Sequence, residues 1–248
     1  MSSDRYKKIT LVKDVARMSE HTGISSTEPP RRNRATPIDR ESAFDLHELF
    51  FSTTDPKGFI TFGNDVFVRV SRFERAQLIG APHRIIRHPD MPRVVFKLLW
   101  DTLHAGKGIV AYVKNMAADG SFYWVLAVVT PVDGGYLSVR LKPTSDLFKP
   151  VAGLYAELTR LEQEVEAATG SRQQAMADSG ALLGKRLQSL GFADYDAFQQ
   201  AALIHETGAR RAIVKHKSIA DDNPARDASR AIAAGVGPHR AVFPPHLW

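Results

Sequence analysis

Residues 109–142 read IVAYVKNMAADGSFYWVLAVVTPVDGGYLSVRLK, and this stretch decides the fold class. Strand-forming residues fill three blocks, Ile109 to Asn115, Phe122 to Thr130 and Tyr136 to Lys142. Ala117-Ala118-Asp119-Gly120 separates the first two blocks, and Asp133-Gly134-Gly135 separates the second two. Asp-Gly supplies the backbone conformations that a tight hairpin needs. Three strands joined by tight turns form an antiparallel meander.

Just upstream, Arg87-His88-Pro89-Asp90-Met91-Pro92 closes one segment and opens a helix predicted over Asp90 to Ala105. Asp90 is a natural N-cap, Pro92 suits the first turn, and Gly106 is placed to stop the helix. Val94, Val95, Leu98, Leu99 and Leu103 share one face at helical spacing. Phe96 and Trp100 point elsewhere, as a second packing face or as one wall of a pocket. A helix N-terminus favours anions, and Arg87 and His88 add a fixed cation and a titratable imidazole beside it. The hexapeptide reads either as a ligand edge or as a capped surface loop.

Further toward the N-terminus, Glu74 to Ile79 reads as a short helix ended by Gly80. Phe59 to Phe62 is a short strand that follows turn chemistry in Asp55-Pro56-Lys57-Gly58. Asn64 either caps a helix carrying Val66, Phe67 and Val70 or turns its amide toward a cavity. Glu41 to Phe51 is predicted as a short amphipathic helix. Residues 1–40 are polar and are expected to form a flexible arm, with one short helix near Leu11 to Met18. The order is short strand, small helices, a longer helix, then three strands. It implies an α+β domain over residues 41–144, with the sheet lying against helices that can leave a cavity.

Pro143 and Pro150 bracket a junction. Beyond it, Leu147, Val151, Leu154, Leu158, Leu161 and Val165 form a short heptad seam. The seam serves either a helix packed on its own domain or a dimeric coiled coil. A second amphipathic helix runs from about Arg172 to Leu190, and Asp194 can cap a third through Phe198, Ala202 and Ile204. Residues 145–216 thus form a helical appendage, and 217–248 are expected to be a flexible tail.

The chain has 248 residues, 44% of them hydrophobic, and a formal net charge of +6. The charge is a modest excess whose simplest meaning is solubility. A solvated tail is the favoured reading of the basic arm at Arg31-Arg32-Asn33-Arg34, over nucleic-acid binding. No apolar run is long enough to span a bilayer, and no signal-peptide core opens the chain, so a cytoplasmic location is expected. There are no cysteines, which excludes disulfides, a thiolate metal site and a photoreceptor working through a flavin–cysteinyl adduct. His83 and His88 lack any metal-ligand spacing partner, Gly235-Val236-Gly237 is no dinucleotide fingerprint, and no Gly-x-Ser-x-Gly elbow exists. No catalytic pair of carboxylates is visible, so no enzyme activity and no metal are expected.

Particular strings narrow the reading. They are Thr53-Thr54-Asp55 with Gly58, Asn64 with Phe67, Gly80-Ala81-Pro82-His83, and the hexapeptide from Arg87, followed by Phe96 and Trp100. Lys114-Asn115, Gly120, Tyr123-Trp124-Val125, Thr130-Pro131 and Tyr136-Leu137-Ser138-Val139-Arg140 complete the set. With these motifs, residues 44 to 144 resemble the PAS domain of bacterial aerotaxis receptors. The sequence departs from that family at Ile109, where an aromatic is usual, and at Met116-Ala117-Ala118, where the turn is usually basic.

The resemblance implies a PAS fold, non-covalent FAD whose redox state reports electron flow, and signalling to a chemoreceptor or kinase-type protein partner. A homodimer is also expected. Asn64, Arg87, His88, Asp90, Phe96, Trp100 and Asn115 match positions tied to FAD binding or signalling in that family. Phe96 and Trp100 would wall a flavin ring, Asn115 would read its polar edge, and Arg87 would offer a forked donor to the pyrophosphate. The expected cavity lies between the central helix and the sheet, lined by Trp100, Asn115 and Arg87. The alternative is a cofactor-free PAS adaptor that dimerises or docks onto receptors.

Overall fold

In the computed structural model, which describes residues 35–220 with side chains through 214, the expected antiparallel meander forms. Its strands are β3 (Ile109–Met116), β4 (Phe122–Val132) and β5 (Gly135–Leu141). Val132 pairs with Gly135 across the tight turn, and Val113 pairs with Val125. Two further strands, β1 (Phe50–Thr54) and β2 (Ile60–Gly63), complete a five-stranded antiparallel sheet in the order β2-β1-β5-β4-β3. Between β2 and β3 run α1 (Asp65–Ser71), α2 (Arg75–Leu78), a 3-10 turn (His83–Ile86) and α3 (Arg93–His104). This is the PAS fold. The appendage holds a 3-10 turn (Asp146–Phe148), then α4 (Lys149–Thr169), α5 (Arg172–Ser189) and α6 (Tyr195–Ala220).

The sheet has two differently used faces, because side chains alternate along each strand. Cross-strand pairs Phe50–Arg140, Ser52–Ser138, Ser138–Val129 and Arg140–Ala127 put these residues on the inner face, toward α1 to α3. The outer face carries Tyr112, whose ring packs on Phe148 at 5.3 Å, and Trp124, which meets Phe148 at 5.2 Å and Tyr155 at 6.0 Å. Tyr123, adjacent to Trp124, points inward and packs on Phe50 at 5.9 Å. The appendage is therefore the outer wall of the sheet, and it shares the core of the PAS domain.

The appendage also closes an edge. β3 is the last strand of the sheet, so its outward N–H and C=O groups need partners. Val110 N–H donates to Gln199 Oε1 at 2.9 Å, and the Tyr195 hydroxyl donates to the Val110 carbonyl at 3.0 Å. The Tyr155 hydroxyl donates to the Tyr112 carbonyl at 3.0 Å. Beyond the appendage, the hexapeptide takes over, with an isolated bridge between Arg87 and Asn115. Glu206 of α6 fastens the junction. Its buried carboxylate accepts from the Tyr112 hydroxyl at 2.9 Å, Thr144 N–H at 2.6 Å, and Ser145 N–H and Oγ at 3.0 and 2.8 Å.

Several expectations need correcting. Residues 41–49 form no helix, and Phe50 and Phe51 belong to β1. Lateral pairing wins there: Ser42 N–H donates to the Phe122 carbonyl at 2.7 Å, and Phe44 packs edge-on against Phe50 at 5.2 Å. The central helix starts at Arg93 rather than Asp90, with Pro92 in extended conformation before it. Asp90 instead pairs with Lys114 at 2.7 Å. In the heptad seam, Val151 and Leu158 are buried inside this chain, and Leu154, Leu161 and Val165 are half-buried. The third appendage helix runs to Ala220, past the expected boundary at 216. Residues 35–40 are not free arm, since Ile38 N–H donates to the Gly120 carbonyl at 3.0 Å. The expected helix near Leu11, the basic run at Arg31 and the tail from 221 lie outside the described residues.

Candidate functional site

A cavity of about 530 Å3 lies between α3 and the inner face of the sheet. One wall is apolar and aromatic, from Phe96, Leu99, Trp100 and Leu103 of α3 with Tyr136 of β5. Trp100 meets the Tyr136 ring edge-on at 5.6 Å. Gly58 makes room for this wall. It sits at φ +82°, and a Cβ there would lie 2.9 Å from Trp100 Cη2. The opposite wall is polar, with Asn115, Ser52, Ser138 and Arg140, and His83 closes it from the 3-10 turn. Lys57, Arg84, Arg87, Arg93 and Lys97 also line the cavity, while among the described residues no Asp or Glu does. Met176 of α5 completes the lining, so the appendage reaches the site directly.

The structure brings together four of the seven residues singled out from sequence. Arg87, Phe96, Trp100 and Asn115 line the cavity. Asn115 is 3% exposed and its Nδ2 has no hydrogen-bond partner, so an amide donor is held unsatisfied at the wall. The Arg87 guanidinium rests on the Phe96 ring, 3.9 Å from its centroid. The other three residues build the frame. Asn64 takes the cap reading: its Oδ1 accepts from Phe67 N–H at 3.2 Å, and its Nδ2 donates to the Leu49 carbonyl at 3.0 Å. His88 Nδ1 accepts from Asp90 N–H at 3.1 Å, which shapes the hexapeptide turn. Asp90 faces Lys114 rather than the cavity. Ile109 is buried in the sheet and does not line the cavity.

Two features of the site were not read from the sequence. Arg140 is 2% exposed, donates from Nη1 to Ser52 Oγ at 3.0 Å, and directs Nη2 at His83 Nε2 at 2.6 Å. A guanidinium has no acceptor, so Nε2 must accept, and the imidazole is neutral with its proton on Nδ1. Burial and the Arg140 charge push the His83 pKa down to about 3. Burial likewise pushes Arg140 down to about 10. The signal for Arg140 was strand parity, since it shares a face with Tyr136 and Ser138.

Glu162 of α4 is the second feature. Its buried carboxylate accepts from Arg93 N–H at 2.7 Å, Val94 N–H at 2.9 Å and the Ser179 hydroxyl of α5 at 2.9 Å. It therefore occupies the anion-favouring N-terminus of α3. That end of the helix is a link between domain and appendage, while Arg87 of the hexapeptide lines the cavity. Nothing local announces it, because Glu162 lies 69 residues from Arg93.

Comparison with known proteins agrees with this geometry. Residues 60–139 match the family model described as the PAS fold. The chain is 41% identical over 112 residues to the aerotaxis receptor of Escherichia coli (strain K12), covering 43% of this chain and 22% of that protein. It is 32% identical over 81 residues to the nitrogen fixation regulatory protein of Klebsiella pneumoniae, covering 33% and 16%. The chain thus spans about a fifth or less of the length of these relatives. Among solved structures it is similar to the PAS domain of a protein from Colwellia psychrerythraea, at 18% identity and a TM-score of 0.33, covering 38% of this chain and 85% of that one. The chain carries a PAS domain homologous to part of the aerotaxis receptor. Among the described residues, no helix is long and apolar enough to cross a membrane.

Proposed function

We propose that this chain is a cytoplasmic PAS sensor that holds FAD non-covalently and reports redox state through protein–protein interaction. The observation that carries the reading is the cavity itself. Its volume, about 530 Å3, falls within the roughly 300–1,000 Å3 of sites for cofactor-sized ligands. Its walls match the group: aromatic and aliphatic side chains for a planar ring, an unsatisfied Asn115 amide for a polar ring edge, and several cations for a pyrophosphate. Lys57 and Arg84 are exposed at the cavity and Arg87 is braced on Phe96, so these three would hold the phosphates. FAD, when bound, supplies reversible electron acceptance.

The chain's own residues provide a route outward. Phe96 and Trp100 touch the cavity from α3, and the first N–H groups of α3 are gripped by Glu162 of α4. Met176 and Ser179 of α5 touch the cavity and Glu162 respectively. A ligand state that favours one α3 position over another biases the α4–α5 pair by the difference in its interaction energy. A chemoreceptor or kinase-type protein would read that bias, and a second copy of the chain would supply the dimer. Titrating FAD into the full-length protein, followed by flavin fluorescence, tests the reading. Asn115→Ala and Trp100→Ala are expected to weaken binding with the fold retained.

The cofactor-free adaptor has one observation in its favour. Phe51 and Phe62 stack at 5.9 Å on the outer face of the sheet, beyond the cover of the appendage, and are 38% and 46% exposed. In that reading Phe51→Ser abolishes partner binding while cavity variants leave it unchanged; loss of docking in Asn115→Ala would count against it.

A further inference from the structure

The inner wall of the cavity holds a positive charge that no acidic side chain among the described residues balances. Arg140 is almost fully buried, yet among the described residues no carboxylate forms an ion pair with it. Its partners are neutral: the Ser52 hydroxyl at 3.0 Å and His83 Nε2 at 2.6 Å. The aromatic rings of Phe67 and Phe50 lie 5.4 and 5.8 Å from the guanidinium carbon, which offsets part of the desolvation. The Tyr123 hydroxyl nearby supplies no negative charge, because burial pushes its pKa up. Beside Arg140, Ser138 Oγ is buried without a hydrogen-bond partner, as is Asn115 Nδ2 along the same wall. A buried guanidinium is costly to keep without an anion or an electron-rich acceptor against it. Among the described residues, the lining around it offers cations and hydroxyls but no acid.

We propose that Arg140, positioned by Ser52 and His83 and flanked by Ser138, is an anion-accepting subsite that takes the electron-rich edge of an aromatic ligand. The subsite stands on geometry alone. Only the identity of its occupant rests on the flavin reading above, in which the occupant is the pyrimidine edge of the ring. The charged, hydrated pyrophosphate suits the exposed cations Lys57 and Arg84. The ring is the part of FAD that can be buried, and its pyrimidine carbonyls are its acceptors. A fixed positive charge at that edge favours the electron-rich state of the ring over the neutral one.

The test uses the full chain freed of any bound flavin, with benzoate and benzamide as probes of matched shape and different charge. Binding is read by thermal shift and calorimetry. Benzoate is expected to bind about tenfold more tightly than benzamide, as one charge-assisted pair provides. The preference is expected to disappear in Arg140→Met, to survive in part in Arg140→Lys, and benzoate is expected to compete with FAD. Equal binding of the two probes to the unmodified protein would overturn the subsite. So would a preference that persists in Arg140→Met. Should Arg140→Met fail to fold, the comparison in the unmodified protein decides alone. A benzoate preference without any FAD binding leaves the subsite standing and removes the flavin reading. A benzoate site that FAD does not displace removes the assignment to the ring edge.

Discussion

Replacing Glu162 by alanine is expected to loosen the whole molecule from a single point. The substitution strips the acceptor from two backbone N–H groups at the start of α3 and from the Ser179 hydroxyl. The hydroxyl loses little, since it also lies 3.3 Å from the Met176 carbonyl. The N–H of Val94 is buried, and that of Arg93 is partly open to water. An orphaned donor costs about 1–3 kcal/mol, with the upper part for buried groups, so the sum is about 3 kcal/mol. At roughly 2–4 °C per kcal/mol for a chain of this size, Tm should fall by about 6–12 °C. Glu162→Gln keeps one acceptor oxygen and should lose about half as much. Glu164→Ala, exposed on the same helix, is the control. Thermal unfolding followed by circular dichroism measures all three, and a Glu162→Ala shift no larger than the control would refute the capping argument. The same variant should also retain ligand poorly, because Phe96 and Trp100 ride on the released helix.

Three further outcomes follow from other parts of the cavity. Gly58→Ala places a Cβ at φ +82°, 2.9 Å from Trp100 Cη2. It should cost about 1–2 kcal/mol for the left-handed backbone and change the near-ultraviolet circular dichroism as the indole moves. Trp100→Ala should lower flavin affinity by about tenfold or more, read by fluorescence titration, through loss of aromatic wall. His83 gives a pH dependence of definite sign. Its pKa falls from 6.5 to about 3 on folding, so below 6.5 the unfolded chain binds a proton that the folded chain refuses. Stability should therefore drop as pH falls from 6.5 toward 3, by at most about 1.4 kcal/mol per pH unit from this group. Urea unfolding of the parent and His83→Gln between these limits measures it, and the variant should show the shallower loss.

What the sequence made legible was whatever its local periodicities encode. The Asp-Gly turns and alternating strands determined the meander, and helical spacing separated Phe96 and Trp100 from the buried face of α3. Lys114-Asn115 sits on a strand whose alternation turns Asn115 inward, so its place in the cavity follows from parity. Arg140 obeys the same parity, but its lack of a counter-charge is a property of the assembled wall and cannot be seen along one strand. Glu162 and Glu206 act across 69 and 94 residues, on Arg93 and Tyr112 respectively. Separations of that size leave no pattern in a window of sequence. The stretch from Glu41 to Phe51 departs from its local pattern for a related reason. Its amphipathic pattern is short enough to suit either state, and pairing with Phe122 and packing of Phe44 on Phe50 decided it.

The absorbance spectrum of the full-length protein, purified without added cofactor, tests the central claim most directly. The expected result is a yellow protein whose flavin stays bound through gel filtration and is released as FAD on denaturation. A colourless protein that neither FAD nor FMN reconstitutes would contradict it.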